Sequence, residues 1–273
     1  MIAAGVTVAA LQAALPLEPL ENRILLCHAL GLTRVGLITQ SERTLTEAEA
    51  QALTALVARR QQGEPIAYIV GKREFFGLDF HVTDAVLIPR PDTELLVELA
   101  LDRLPQRGRA LDMGTGSGAI AVTIAHARPD AAITALDVSE AALEVARGNA
   151  VLNGARVRFL HSDWFAALAT EQFDLIASNP PYIADGDVHL SQGDLRFEPS
   201  GALTDRFDGL SALRTIVAGA PAHLVAQGWL LMEHGYDQAA QVRQLLLERG
   251  YTEVQSWHDL AGIERASGGR APC

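Results

Sequence analysis

From Arg109 onward the chain alternates between short apolar segments and longer amphipathic ones, and this alternation restricts the fold more than any other feature. The short segments are Arg109–Met113, Ala131–Leu136, Arg156–Leu160, Phe173–Ser178 and Gly228–Glu233. Each has the length and apolar character of a strand. Helical patterns lie between them, including Glu140–Leu152, Leu210–Ala226 and Asp237–Arg249. Strand and helix alternating in this way imply an α/β fold with a mostly parallel sheet covered on both faces. Ligands in such sheets bind at the carboxyl ends of the strands. The residues that immediately follow each strand are therefore the ones to read for chemistry.

The part before Arg109 has a different texture. Leu20, Ile24, Leu25, Ala29 and Leu30 recur at helical spacing, and Thr46 with Glu49 forms a capping-box pattern ahead of Leu53, Leu56 and Val57. Gly63 and Pro65 end that second helix. From Ile66 to Ile88 β-branched and aromatic residues predominate, with Gly71 and Gly77 as punctuation, which predicts a short hairpin between two domains. The expected organisation is a small helical domain over 1–72, a connecting hairpin over 73–88, and the α/β domain over 89–273.

A length of 273 residues and an apolar content of 49% suffice for this arrangement. A formal net charge of −11 argues against broad attraction to nucleic acid phosphates. The uncharged stretch Met1–Leu17 is too short to span a bilayer and no Lys or Arg precedes it, so it reads as a buried helix. Cys27 and Cys273 offer neither a disulfide framework nor metal-ligand spacing. A cytoplasmic monomer without metal or membrane contact is the expectation.

The first strand of the α/β domain leads into Asp112-Met113-Gly114-Thr115-Gly116-Ser117-Gly118, which opens a helix. Its glycines permit a tight turn and close approach of backbone to a ligand, although a plain strand-to-helix turn has the same look. The second strand ends in Leu136-Asp137. A carboxylate there can accept from both ribose hydroxyls of a nucleoside; it could equally cap the next helix, a role that Ser139 could also fill. The third strand is followed by Asp163 and Trp164, placed to accept from an adenine amino group and to cover its ring. Taken alone, Trp164 could as well be core.

After the fourth strand stands Asn179-Pro180-Pro181-Tyr182. Consecutive prolines donate no backbone hydrogen bonds, so carbonyls here are left free to accept. With the side-chain carbonyl of Asn179 they can grip both hydrogens of an –NH₂ on a planar carbon and aim its nitrogen at an electrophilic methyl group. The lone pair of such a nitrogen is delocalised, and strong acceptors on its hydrogens help charge develop there in the transition state. Tyr182 would pack on the flat face of the target. A proline-rich turn is the bland alternative. No Ser/His/Asp set or carboxylate pair stands at equivalent strand ends.

Asn-Pro-Pro-Tyr behind Gly-Thr-Gly-Ser-Gly resembles the amino-methyltransferases. Arg73–Gly77, Leu87–Glu94, Asn179–Ile183 and Arg196–Pro199 together resemble the HemK-type (PrmC) peptide chain release factor N5-glutamine methyltransferase family, over nearly the whole chain. The resemblance implies a Rossmann-like class I methyltransferase with a seven-stranded sheet, and an S-adenosylmethionine-dependent protein-(glutamine-N5) methyltransferase activity yielding S-adenosylhomocysteine. It implies that Gly114, Thr115, Gly116, Ser117 and Gly118 cradle the cofactor, with Asp137 on its ribose and Asp163 and Trp164 beside its adenine. Asn179, Pro180, Pro181 and Tyr182 would hold the glutamine of a class 1 release factor's Gly-Gly-Gln loop, Asn179 also lying near the reacting methyl. Pro89–Glu94 would close over the methionine end, and the helical domain would help dock the partner. The chain departs from the pattern at Gly268–Cys273, which lacks the aromatic finish.

Three rivals share features. A ribosomal protein L3 glutamine methyltransferase has the same fold and Asn-Pro-Pro-Tyr, but a different segment after its Pro-Arg. A DNA adenine methyltransferase needs basic residues for phosphates and a target-recognition region, which this acidic chain lacks. A non-catalytic adaptor has no reason to keep both motifs intact.

Overall fold

The computed structural model describes residues 2–272, so Cys273 lies outside the described residues. The chain divides into two compact units, the first ending at Gly71 and the second beginning at Lys72.

The first unit is helical: α1 (Val8–Ala14), α2 (Pro19–Leu30), α3 (Arg34–Thr39), α4 (Glu47–Gln61) and α5 (Ile66–Val70). Leu11, Leu25, Leu26, Leu37 and Leu53 form its core. The Thr46/Glu49 capping box is present, with Thr46 N–H donating to Glu49 at 2.9 Å and Glu49 N–H donating to Thr46 Oγ1 at 3.3 Å. Two expectations are corrected here. The opening segment is not one buried helix: α1 begins only at Val8, capped by Thr7, and buries a single face through Val8 and Leu11. The β-branched run at Ile66 is a short helix, because Pro65 opens a helical turn and Ala67 and Ile69 are used as core; Gly71, in the left-handed region, ends it.

The second unit starts with a hairpin, β1 (Lys72–Phe75) and β2 (Leu78–His81), whose two-residue turn Phe76-Gly77 has positive φ at both positions. The hairpin therefore closes at His81, short of Ile88. Then follow α6 (Glu94–Arg103), β3 (Arg109–Met113), α7 (Ala119–Ala127), β4 (Ala132–Asp137), α8 (Glu140–Leu152), β5 (Val157–His161), β6 (Phe173–Ser178), α9 (Ser200–Leu203), α10 (Ser211–Gly219), β7 (Leu224–Glu233), α11 (Ala239–Glu248), β8 (Thr252–His258) and β9 (Glu264–Arg270). The helix expected to run on to Ala226 stops at Gly219, since Pro221 cannot continue it, and β7 starts correspondingly early.

The seven strands form one sheet in the order β5-β4-β3-β6-β7-β9-β8. Neighbours from β5 through β7 pair parallel, and β9 enters antiparallel between β7 and β8. One face packs on α6, α7 and α8 through residues such as Leu96, Ile120 and Leu175; the other packs on α10 and α11 through Leu213, Ile216 and Val242. The glycines that replace the expected aromatic finish are needed inside the sheet: a Cβ on Gly268 would stand 2.3 Å from the Leu230 carbonyl. This is the Rossmann-like class I methyltransferase fold. Strand order reverses between β3 and β6, the point where such sheets open a crevice for ligands.

Candidate functional site

A cavity of about 290 Å³ lies at that crevice. The loop after β3 forms its floor. Gly114, Gly116 and Gly118 all have positive φ, yet they serve different ends. Ideal Cβ atoms on Gly114 and Gly116 would meet nothing within 4 Å, so backbone is laid bare to the cavity. On Gly118 a Cβ would press on Ala146 of α8 at 3.2 Å; this glycine lets α7 and α8 pack and is not part of the wall. Thr115 and Ser117 line the cavity beside the two open glycines.

The loop is held from behind by Asp112, fully buried at the end of β3. Its Oδ2 accepts from the Thr115 hydroxyl at 2.6 Å and from Ala121 N–H at 3.1 Å, while Oδ1 has no hydrogen-bond partner. Burial pushes its pKa up to about 7 against those two donors. Asn149, also buried, donates to the Ser117 carbonyl at 2.8 Å and to the His81 carbonyl at 2.9 Å, tying the loop to the hairpin's end.

Asp137, at the end of β4, accepts from Gly116 N–H and from Ser139 N–H, both at 2.9 Å, one on each carboxylate oxygen. Each oxygen keeps a lone pair for a further donor. The N-cap of α8 is Ser139, which accepts from Ala142 N–H, so Asp137 is not needed for that role. Asp163 and Trp164 follow β5 on the same wall, Trp164 with a positive φ of 46° that a bulky residue seldom adopts.

After β6, the neighbour of β3 in the sheet, Asn179 and Pro181 also line the cavity; Pro180 and Tyr182 do not. Asn179 Nδ2 donates to Thr93 Oγ1 at 3.1 Å, which leaves the side-chain carbonyl as the available end. Tyr182 lies behind, its hydroxyl donating to Glu233 at 3.2 Å and its carbonyl accepting from Gln238 at 2.9 Å. Pro89 and Arg90 from the segment before α6, and Pro199, Gly201 and Ala202 around α9, complete the rim. These two segments are joined: Arg90 is ion-paired with Glu198, whose other oxygen accepts from Ile88 N–H at 3.0 Å.

Similarity to known proteins agrees with this geometry. A family described as "Methyltransferase small domain" matches residues 91–197, and one described as "PrmC N-terminal domain" matches residues 6–71. A release factor glutamine methyltransferase of Burkholderia pseudomallei is 58% identical, over 97% of this chain and 96% of its own length. The chain belongs to the release factor glutamine methyltransferase family. A second member, from Neisseria gonorrhoeae, is 52% identical over 93% of this chain and 94% of its own. Among solved structures, a methyltransferase from Pyrococcus furiosus superposes with a TM-score of 0.56 at 22% identity, covering 79% of this chain and 98% of that one, and shares the fold.

In this member of the release factor glutamine methyltransferase family, several site residues carry no signal that the sequence reading used. Thr93 and Glu198 stand inside motifs whose family resemblance was legible, but their partners were not. Asp112, Asn149 and Glu233 are polar residues in apolar or helical runs, and that contrast was the available clue.

Proposed function

We propose that this chain transfers the methyl group of S-adenosylmethionine to the side-chain amide nitrogen (N5) of the glutamine in the Gly-Gly-Gln loop of class 1 peptide chain release factors. S-adenosylhomocysteine is the second product. The observation that supports the reading is that Asn179, its amide nitrogen engaged by Thr93, lines the same cavity as the open glycines of the β3 loop.

The cofactor fits the residues present. Gly114 and Gly116 leave the space a Cβ would fill, which suits its amino acid part lying on bare backbone. Asp137 has a lone pair free on each oxygen for two ribose hydroxyls, and Asp163 and Trp164 line the same cavity, which suits an adenine edge and face. When bound, S-adenosylmethionine supplies an electrophilic methyl carbon.

The remaining work falls to the chain. Asn179 Oδ1 and a carbonyl of the Pro180-Pro181 turn accept the two amide hydrogens, fixing the nitrogen and favouring charge on it as it attacks. Burial and the neighbouring Glu233 hold the Tyr182 phenol well above its ordinary pKa, so it stays protonated and remains a donor to that carboxylate. The helical N-terminal unit, with its own core, recognises the release factor. The enzyme works as a monomer in the cytoplasm, with protein as substrate and no direct nucleic acid contact. Incubating both class 1 release factors with the chain and S-adenosylmethionine should place one methyl group on the loop glutamine by tandem mass spectrometry. Factors left unmodified, or modified elsewhere, would count against the assignment.

A further inference from the structure

The Asn-Pro-Pro-Tyr turn cannot anchor itself through its prolines, which have no N–H to donate. Its position is set at its two ends. At the entry Ser178, the last residue of β6, is paired with Met113 on one side and Met232 on the other. At the exit a single peptide unit is held at both of its polar ends. Its N–H, that of Ile183, donates to the Leu203 carbonyl at 3.0 Å, and its carbonyl, that of Tyr182, accepts from Gln238 Nε2 at 2.9 Å.

Gln238 is buried at the start of α11, yet its side chain does not cap that helix. The second Nε2 hydrogen goes to the Gly209 carbonyl at 3.2 Å, and Oε1 accepts from Gly235 N–H at 2.8 Å. Two carbonyls require the nitrogen and an N–H requires the oxygen, so the amide has one orientation only. The surrounding backbone leaves room for nothing else. A Cβ on Gly209, whose φ is +78°, would stand 2.5 Å from the Tyr182 carbonyl oxygen and 2.9 Å from Gln238 Nε2, and one on Gly235 would stand 3.1 Å from Gln238 Oε1. Gly235 is itself held by the fully buried His234. A carbonyl only accepts, so His234 Nδ1–H donates to that of Gly235 at 2.9 Å, and Nε2 accepts from the Ser267 hydroxyl at 2.7 Å.

We propose that Gln238 is a positioning residue for methyl transfer: by clamping the Tyr182 carbonyl it fixes the turn that carries the acceptors for the substrate amide. The inference rests on the function proposed above. Proline rings lock φ, so a shift at the exit of the turn passes back to Pro181 and Pro180 instead of being absorbed between them. Gln238, Gly209 and Gly235 do not line the cavity, whereas Asn179 and Pro181 do. Loss of the clamp therefore moves the acceptors and leaves the cofactor's own contacts in place.

Gln238→Met keeps the length of the side chain and donates nothing; Gly209→Ala displaces the same carbonyl from the other side. Single-turnover transfer to a release factor is measured for both, counted per molecule that binds S-adenosylhomocysteine in calorimetry, so that unfolded chain does not register. The saturated rate should fall about 10- to 100-fold in each, a displacement of about 1 Å being enough for that. Cofactor affinity and the release factor concentration that half-saturates the rate should change little. The double variant should be little slower than the slower single one, because both release one carbonyl. Gln238→Met decides the matter alone if the strained φ at position 209 keeps Gly209→Ala from folding. A wild-type rate per binding molecule in Gln238→Met, a loss confined to the half-saturating concentration, or additive losses in the double variant would overturn the proposal. Transfer by the wild type tests the underlying function; the ratios of variant to wild type test the role of Gln238.

Discussion

At the residue scale the site is a set of polar groups lining one cavity, with part of their hydrogen-bonding capacity already used to fix them. Asp137 illustrates the principle. One bond on each oxygen fixes the carboxylate plane, and the remaining lone pairs match a vicinal diol. Charge-assisted hydrogen bonds contribute about 1.5–3 kcal/mol each. Asp137→Ala should therefore weaken S-adenosylmethionine and S-adenosylhomocysteine binding by at least tenfold in calorimetry, while also loosening the Gly116 turn. Equal affinities for wild type and variant would remove Asp137 from the cofactor site.

At the scale of elements, most of what positions the site could be read in advance. The strands β3 and β6 fall on the segments anticipated from sequence, because both are short, mostly apolar runs followed by a glycine or a polar residue. The helix Glu140–Leu152 was legible for its apolar face and Ser139 cap. Less legible was anything decided by distant packing. The run at Ile66 has strand-like composition but is a helix, since a buried helical turn uses β-branched residues equally well as core. Gly118 looked like its neighbours in the loop, and only the approach of Ala146 from α8 separates its role from theirs. The link between Arg90 and Glu198 was invisible for the same reason, although both residues stood in motifs already singled out. Glu198 has a fully buried side chain, so removing its partner strands a charge. Arg90→Ala should destabilise the fold by about 3 kcal/mol, the lower end for breaking a buried pair because Arg90 is partly exposed. It should also raise the cofactor dissociation constant by opening the rim. Thermal melts and calorimetry on the same preparation check both effects; an unchanged melt with unchanged affinity would show that the pair supports neither.

At the scale of the whole molecule, buried acids near the site leave a signature in stability. Asp112 and Glu233 both have pKa values raised to about 7, burial being the leading cause in each. A carboxyl group whose pKa is raised on folding binds more protons in the folded state. Its contribution is complete below the unfolded pKa near 4 and is lost as pH climbs through about 7. The slope approaches about 1.4 kcal/mol per pH unit per group within that window. Asp112→Asn removes one of these titrations and keeps an acceptor for Thr115 and Ala121. Its melting temperature relative to wild type should therefore increase from pH 5 to pH 8, and a difference constant with pH would contradict the buried, proton-binding state of Asp112. The sheet's larger consequence is that residues following β3, β4, β5 and β6 line one cavity. The central claim is that Asn179 grips the substrate amide most strongly in the transition state. Its most direct test is single-turnover transfer of labelled methyl to an intact release factor by wild type and Asn179→Ala, with a factor whose loop glutamine is changed to alanine as the blank. The rate should fall about 10²–10³-fold, as on removal of one positioned transition-state contact, with much smaller changes in KM and cofactor affinity and no label in the blank. A near-wild-type rate in Asn179→Ala, or equal labelling of the blank, would contradict it.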